Sequence, residues 1–459
     1  MTQIDTSLTT EALRGNIDRV FQVSARKIAA LEKHWDPRRG APVFTVDGRY
    51  TSRGWTEWTQ GFQYGSAILQ FAATGDRRAL EVGRQGTRNH MAQYVSHGGV
   101  HDHGFNSVST YGGLWLLAKS GRIAAGEDEI RFYELALMVS GAVQAARWTE
   151  LPGNLGYIYS FNGPHSLFAD TIRSLRVLAL SHQLGHVLMG EGDRRISLLG
   201  RLLRHAETTA RFNIYHGTGR DHYDLRGRVA HESIFNLNDG SYRCPNSQQG
   251  YSPFTTWMRG LAWIICGYAE QLEFLDTVAA DEFKAYGGKA GLLARFLAAA
   301  RATADFYLEQ TPTDGVPYWD SGAPGLAALG DYLDRPAEPF NDREPVDSSA
   351  AAIAAQGLVR LGRYLQAKGK NRDGARYFAA GLTVARTIFR EPYLSVSPRH
   401  QGLLLHTVYH RPNGWDHIPS GRKVPCGESG MWGDYHVREL ALLLQSIAGR
   451  KSYYTFFGG

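Results

Sequence analysis

Apolar positions recur at three- and four-residue steps along most of the chain, which is the spacing of amphipathic helices. The segments with this pattern are residues 132–146, 167–188, 196–209, 257–275, 292–308, 350–365, 377–389 and 435–447. Asp347 and Ser348 precede the Ala-rich segment and Asp434 precedes the last one, and these residue types commonly cap helix N-termini. Long runs of strict apolar–polar alternation are scarce, so the pattern predicts helices and no large sheet.

Segments rich in glycine, aromatic residues and histidine separate the predicted helices. They are residues 55–65, 97–115, 157–165, 216–251 and 398–432. The sequence shows no repeat period of the solenoid kind and no Pro- or Ser-rich linker. We therefore predict one domain over residues 1–459, an all-α ring of helical hairpins whose loops gather around a pocket at one end.

Composition and charge narrow the class of protein. The 459 residues carry a formal net charge of +6, and the basic residues are scattered, so a nucleic-acid partner is not expected. Cys244, Cys266 and Cys426 are too few for a disulfide framework. The polar N-terminus lacks a secretory pattern, and the apolar stretch 261–266 is too short to span a bilayer. These features predict a cytoplasmic protein without a membrane partner.

The densest polar group in the sequence is residues 101–105, which read HDHGF. In one interpretation Asp102 is a catalytic carboxylate whose charge is tuned by the neighbouring histidines. In another, His101 and His103 bind a metal, because alternate residues of an extended segment share a face. A histidine-rich surface turn is the third interpretation, and the sequence leaves all three open.

Asp170 lies in the otherwise apolar segment 167–188, just after an aromatic loop. A carboxylate near a helix start is commonly a cap or a partner of the helix dipole. The functional alternative is an acid whose pKa is raised by apolar surroundings, so that it donates a proton near neutral pH. Two carboxylates facing one pocket are typical of glycoside hydrolysis.

Arg259 and Trp263 are four residues apart, so they share one face of a predicted helix. An arginine beside an aromatic ring is suited to a carboxylate carried by a sugar, although an internal ion pair explains it equally well. Trp55, Trp58 and Phe62 are either a stacking platform for sugar rings or part of the core.

Taken together, these motifs resemble the unsaturated glucuronyl hydrolases, glycoside hydrolase family 88. The matching segments, in order, are residues 58–62 (WTQGF), 101–105 (HDHGF), 205–206 (HA), 249–251 (QGY), 256–263 (TWMRGLAW), 316–320 (VPYWD), 347–355 (DSSAAAIAA) and 432–435 (WGDY). Each segment is weakly specific alone, but their order and similar spacing run through the whole chain. The resemblance implies an (α/α)6 toroid of six helical hairpins.

The resemblance also implies a reaction and the residues that perform it. Enzymes of this family hydrate the C4=C5 double bond of a 4,5-unsaturated uronic acid, and the resulting hemiketal opens and releases the remaining sugar. By similarity, Asp170 is the general acid/base and Asp102 is the second carboxylate. The implied substrate-binding residues are His205, Gln249, Arg259, Trp58, Trp263 and His101. No metal or organic cofactor is implied, and the partner is an unsaturated uronyl oligosaccharide.

The sequence departs from the family pattern in three places, and these departures bear on which substrate the chain accepts. After Asp170 the chain reads TIRS where the family tends to have NMMN, so Arg173 is expected either at the pocket rim or pointing outward. Residues 215–228 and 321–345 look longer than the family pattern, and long loops at the open end of a toroid shape the leaving-group subsite.

Several alternative functions remain open from the sequence. They are an unsaturated rhamnogalacturonyl hydrolase, an inverting glycosidase acting on a saturated sugar through Asp102 and Asp170, and a carbohydrate-binding protein without activity. A histidine-based metal enzyme is the least favoured, because His101, His103, His205 and His216 lack a compact ligand pattern.

Overall fold

Helices form most of the chain in the computed structural model, which describes residues 1–53, 58–450 and 453–458. They are α1 (Arg14–His34), α2 (Gln60–Thr74), α3 (Arg77–His90), α4 (Ala92–Val95), α5 (His103–Ser107), α6 (Gly113–Lys119), α7 (Glu127–Ala146), α8 (Thr171–Ser174), α9 (Arg176–Gln183), α10 (Leu198–Phe212), α11 (Met258–Thr277), α12 (Lys289–Glu309), α13 (Ser348–Ala367), α14 (Asn371–Ile388) and α15 (Met431–Ala448). A π-helical turn (Val108–Gly112) joins α5 to α6.

The helices close into a double ring. The inner ring follows the order α2, α5–α6, α8–α9, α11, α13 and α15, and α15 returns to pack against α2. Helices α3, α7, α10, α12, α14 and α1 pack outside their inner neighbours. This arrangement confirms the predicted α/α toroid.

Short strands connect the helices in the described part of the chain. They are β1 (Phe44–Val46), β2 (Arg49–Thr51), β3 (Trp148–Leu151), β4 (Leu155–Ile158), β5 (Ser166–Phe168), β6 (Leu188–Met189), β7 (Arg195–Ile196), β8 (Glu232–Phe235) and β9 (Tyr242–Asn246). The antiparallel pairs are β1–β2, β3–β4 and β6–β7, and β5–β8–β9 form a three-stranded sheet. No described helix has the length and apolarity needed to cross a membrane.

Small residues let the inner helices approach one another closely. A Cβ on Gly104 of α5 would lie 1.9 Å from the carbonyl oxygen of Ser174 in α8, a distance that no side chain tolerates. A Cβ on Gly357 of α13 would lie 2.7 Å from the backbone nitrogen of Cys266 in α11. Glycines also lie at the other junctions of the inner ring, at Gly61, Gly65, Gly267 and Gly433. The diameter of the ring therefore depends on these positions.

The centre of the ring is charged, although an apolar cluster running from Leu13 to Phe457 surrounds it. Three arginines and three glutamates from the inner helices form a buried ionic network there; they are Arg173, Arg176, Arg360, Glu270, Glu273 and Glu439. Arg173 is thus wholly buried, and the expectation that it lies at the pocket rim or points outward is wrong.

Three local expectations are corrected by the structure. The segment 167–188 is not one helix, because β5 occupies its start and Leu175 separates α8 from α9. The segment 97–115 is not a loop, since α5, the π-helical turn and the start of α6 lie within it. Asp434 does not cap α15, which begins after Gly430. Asp347 does cap α13, accepting from the backbone N–H groups of Ser349 and Ala350.

Candidate functional site

A cavity of about 240 Å³ opens where the inner helices begin. Its lining residues are Trp58, Gly99, Val100, His101, Asp102, Phe105, Phe161, Asp170, Gln248, Gln249, Trp257, Arg259, Trp263, Tyr409, His410 and Trp415. Most of them lie just before or within the first turns of α2, α5, α8 and α11. Helix N-termini carry partial positive charge, so this end of the ring favours anionic groups.

The cavity floor holds two carboxylates against one imidazole. Nε2 of His101 lies 3.2 Å from Oδ1 of Asp170 and 3.8 Å from Oδ1 of Asp102. Asp170 occupies the N-cap position of α8, but its side chain makes no capping hydrogen bond. The carboxylate therefore faces the cavity and His101, contrary to the interpretation of Asp170 as an ordinary cap.

Protonation in this group is set by burial and by the carboxylate–imidazole contacts. Burial acts to lower the pKa of His101, but the carboxylates of Asp102 and Asp170 outweigh it and the pKa is raised. Burial acts to raise the pKa of Asp170, but His101, His231 and Arg259 outweigh it and the pKa is lowered. The expectation that apolar surroundings raise the pKa of Asp170 is thus wrong for the free protein.

Replacing Asp102 by Asn tests this account of His101. We expect the pKa of His101 to fall in Asp102→Asn, because the variant removes one of the two negative charges that oppose the effect of burial. An NMR titration of the imidazole resonances measures the change. His103, whose pKa burial lowers to about 4, is an internal control in the same spectra. An unchanged His101 pKa would contradict the electrostatic role of Asp102.

The structure separates the two histidines of the HDHGF motif. His103 contacts Ser140 Oγ through Nδ1 (2.8 Å) and the His97 carbonyl through Nε2 (3.1 Å), so both ring nitrogens have protein partners. His101 instead faces the cavity. The two side chains do not form the metal site considered from the sequence.

Arg259 belongs both to the cavity wall and to an internal ion pair. Its Nη1 donates to Asp347 Oδ2 (2.9 Å) and to the Val408 carbonyl. Its Nη2 donates to the Tyr409 carbonyl (2.7 Å) and, at 3.3 Å, to Gln249 Oε1. The contact with Gln249 is the longest of the four, so it is the one that an anionic ligand in the cavity would replace most easily.

Aromatic rings make up much of the cavity wall. Trp58 stacks on Trp432, with ring centres 5.2 Å apart, and Trp263 packs 4.9 Å from Phe105. Trp58 and Trp263 both line the cavity, and the contact with a sugar that the resemblance implied for them stays a prediction. Trp55 lies outside the described residues, so its expected stacking role stays a prediction.

Sequence reasoning missed the wall built by Tyr409, His410 and Trp415. Asp416, which is partly buried, accepts from the backbone N–H groups of Tyr409 (2.5 Å) and His410 (3.2 Å) and so fixes this turn. The only signal in the sequence was the aromatic and histidine content of residues 398–432, which does not identify the side chains that turn inward.

His205 is not among the residues that line the cavity, so the substrate-binding role that the resemblance implied for it stays a prediction. It is wholly buried in α10, and its Nδ1 accepts from the backbone N–H of Ile158 (3.0 Å). His231, which the sequence analysis did not select, packs between Phe168 and Trp257, and its charge contributes to lowering the pKa of Asp170. Neither ring nitrogen of His231 has a hydrogen-bond partner among the described residues.

The long loops lie outside the cavity itself. None of the described residues in 215–228 or 321–345 lines it. Residues 215–228 fold back on α12, where Arg226 pairs with Asp305 (3.0 Å). Gln248 and Gln249, from the segment after β9, form that side of the cavity instead.

No model of a protein family matches the chain. An unsaturated glucuronyl hydrolase of Formosa agariphila is 24% identical over 398 residues, covering 85% of this chain and 80% of the relative. One from Bacillus sp. strain GL1 is 25% identical over 403 residues, covering 86% and 88%. An unsaturated chondroitin disaccharide hydrolase of Streptococcus pyogenes is 25% identical over 405 residues, covering 87% and 84%. The chain is thus similar, over more than four fifths of its length, to unsaturated glucuronyl hydrolases.

Solved structures of unsaturated glucuronyl hydrolases share the fold. The enzyme from Bacillus sp. GL1 superimposes with a TM-score of 0.70 at 22% identity, covering 97% of this chain and 99% of that one. A Streptococcus agalactiae variant complexed with dGlcA-GalNAc6S gives 0.64 at 18% identity, covering 98% and 94%. A further structure, named with the sugar chain dGlcA-Glc-Rha-Glc, gives 0.70 at 22% identity, covering 97% and 100%. The α/α toroid is therefore common to this chain and to the unsaturated glucuronyl hydrolases.

Proposed function

We propose that the chain is a glycoside hydrolase that removes a 4,5-unsaturated glucuronyl residue from lyase-generated oligosaccharides by hydrating the C4=C5 double bond. The observation that carries the proposal is the pairing of Asp170 and Asp102 with His101 on the floor of an aromatic-walled cavity. The whole-chain similarity to unsaturated glucuronyl hydrolases supports it.

The chemistry requires one group that first gives a proton and then takes one. The double bond is a vinyl ether, so protonation at C4 leaves positive charge at C5, stabilised by the ring oxygen. Water then adds at C5 and loses a proton. A single carboxyl group can serve both steps. We assign this role to Asp170 and the stabilisation of the developing positive charge to Asp102, since both carboxylates line the cavity.

Because the pKa of Asp170 is lowered in the free protein, this carboxyl group has to gain its proton when the substrate binds. A bound uronate brings a second negative charge and excludes water, and both effects raise the pKa of a neighbouring carboxyl group. His101, whose pKa is raised, lies 3.2 Å from Asp170 and can supply the proton. The pair would then hold one proton between them before C4 is protonated.

Loss of ultraviolet absorbance tests the proposal directly, because hydration destroys the absorbing C4=C5 bond. The panel contains unsaturated uronyl disaccharides from several lyases together with their saturated analogues. We expect absorbance loss with the unsaturated sugars and no cleavage of the saturated ones. A folded protein that consumes none of the unsaturated sugars would contradict the proposed function.

Arg259→Ala should change both substrate binding and stability. We expect KM for an unsaturated uronide to rise about tenfold, as for loss of one charge-assisted contact. We also expect a loss of about 2 kcal/mol in the free energy of unfolding, because the buried carboxylate of Asp347 loses its charged partner. The loss is limited because Asp347 still accepts from the backbone N–H of Ser349. Absorbance kinetics and urea unfolding measure the two effects. An unchanged KM would leave Arg259 with a structural role only.

The inverting-glycosidase alternative fits this geometry less well. An inverting pair places its two carboxyl groups on opposite faces of the sugar. Here Asp102 and Asp170 both approach Nε2 of His101, so the two carboxylates share one imidazole instead of facing each other across open space. The saturated controls in the absorbance experiment test this alternative.

A cytoplasmic location is part of the proposal. The three cysteines are free thiols, which is the state expected in a reducing compartment. Fractionation of the native cells, with immunodetection of the chain, tests the location.

A further inference from the structure

Two aromatic rings are stacked at the surface near the cavity. The rings of Tyr223 and Phe254 have centres 4.4 Å apart and planes 28° from parallel. Tyr223 is 49% exposed and Phe254 43%, and Tyr251, on the same segment as Phe254, is 51% exposed. Large aromatic side chains left in solvent together mark an interaction surface.

A buried arginine fixes this pair in place. Arg228, only 2% exposed, donates from Nε to the Tyr223 carbonyl (2.6 Å) and from Nη1 to the Pro253 carbonyl (3.1 Å). One guanidinium thus joins the two backbone segments that carry the stacked rings. Within the loop, the Asp224 carboxylate accepts from the backbone N–H groups of Gly217, Thr218 and Arg220. The rings are therefore held in position before any ligand binds.

The exposed rings continue from the cavity wall. Gln249 lines the cavity, Tyr251 follows two residues later and Phe254 five residues later. An extended chain covers at most about 7 Å and about 18 Å over these intervals. The backbone N–H of Tyr251 donates to Asp320 Oδ2 (2.8 Å). Asp320 in turn forms an antiparallel β-bridge with Trp257, which lines the cavity. A structure with the same fold is named with a chain of four sugars, dGlcA-Glc-Rha-Glc.

Resting on the proposed function, we propose that Tyr223, Tyr251 and Phe254 form a platform for the leaving-group end of unsaturated oligosaccharides longer than a disaccharide. Pyranose rings present an apolar face of C–H groups, which packs on aromatic rings as other apolar groups do. Because it carries Tyr223, the long loop 215–228 contributes to the choice of leaving group although it lies outside the cavity.

The test compares an unsaturated disaccharide with an unsaturated tetrasaccharide of the same repeat. We expect Tyr223→Ala to raise KM for the tetrasaccharide about threefold to tenfold, with kcat unchanged. The disaccharide, whose first ring fills the cavity, should change less than about twofold. Tyr223→Phe keeps the ring and should match the wild type. Phe132→Ala removes an exposed ring (42%) from the outer helix α7 and is the matched surface control.

Three results would overturn the platform alone. They are an unchanged tetrasaccharide KM in Tyr223→Ala, an equal rise for both sugars, and a smaller oligomer by light scattering, which would make this face a protein interface. Thermal unfolding of each variant establishes that the comparison is between folded proteins. A wild-type chain that consumes neither sugar overturns the proposed function, and the platform with it.

Discussion

Asp170→Asn should lower kcat on an unsaturated uronyl disaccharide by about 10³-fold, the effect expected when a general acid/base is removed. Asparagine keeps the shape of the side chain but neither donates the proton to C4 nor accepts one from water. The side chain makes no capping hydrogen bond, so α8 loses no backbone partner. We expect the free energy of unfolding to change by about 1 kcal/mol at most. Absorbance kinetics and thermal unfolding measure the two quantities.

A matched substitution separates proton transfer from loss of charge. Asp276→Asn removes a carboxylate that pairs with Lys368 on the surface and should leave kcat unchanged. Activity of Asp170→Asn within tenfold of the wild type would assign the acid/base role to another residue. A large fall in stability accompanying the fall in kcat would instead indicate a structural role for Asp170.

The ring of helices could be predicted from the sequence, but its inner helices α2, α5 and α6 were not among the predicted segments. Helices α11 to α15 follow the apolar spacing; the outer helices α12 and α14 bury one face, whereas the inner helices α11, α13 and α15 are buried on nearly every side. The α5–α6 unit contains Ser107, Ser109 and Thr110 beside a run of glycines, which is a poor helix former by propensity. It is buried on all sides between α2, α7 and α8, and packing rather than propensity makes it helical.

The candidate site was partly predictable for a related reason. His101, Asp102, Asp170, Gln249, Arg259, Trp58 and Trp263 were selected, and all of them line the cavity. Most lie next to the starts of inner helices. Because these helices all begin at the end of the ring that holds the cavity, a residue near such a start also lies near the cavity. Tyr409, His410 and Trp415 lie on a long turn whose path depends on Asp416 and Arg259, so one-dimensional spacing does not locate them. His205 was chosen by resemblance, and it lies in α10 outside the set of lining residues.

The ionic network at the centre of the ring could not be predicted, and it leads to a strong prediction about stability. Glu439→Gln should lower the free energy of unfolding by about 3–5 kcal/mol, because two buried arginines lose their shared anion. Arg173 Nη2 lies 2.8 Å from Glu439 Oε2, and Arg176 Nη1 lies 3.3 Å from Oε1. All three side chains are wholly buried, so water cannot replace the missing charge.

The buried Glu439 also predicts the direction in which the free energy of unfolding changes with pH. Burial acts to raise the pKa of Glu439, but Arg173 and Arg176 outweigh it and hold the pKa below its usual value. A lowered pKa contributes stability above the unfolded value, about 4.3, and that stability is lost as the pH falls through the folded value. We expect the wild type to lose stability more steeply in acid than Glu439→Gln does.

A surface pair provides the matched control for the network. Glu32→Gln removes the partner of Arg78, at 3.1 Å on the outer surface, and should cost about 0.2–1 kcal/mol. Urea unfolding of both variants at several pH values measures the difference. Equal losses for the two variants would mean that the central charges contribute no more than surface ones. The ring would then be held by its apolar contacts and close glycine junctions alone.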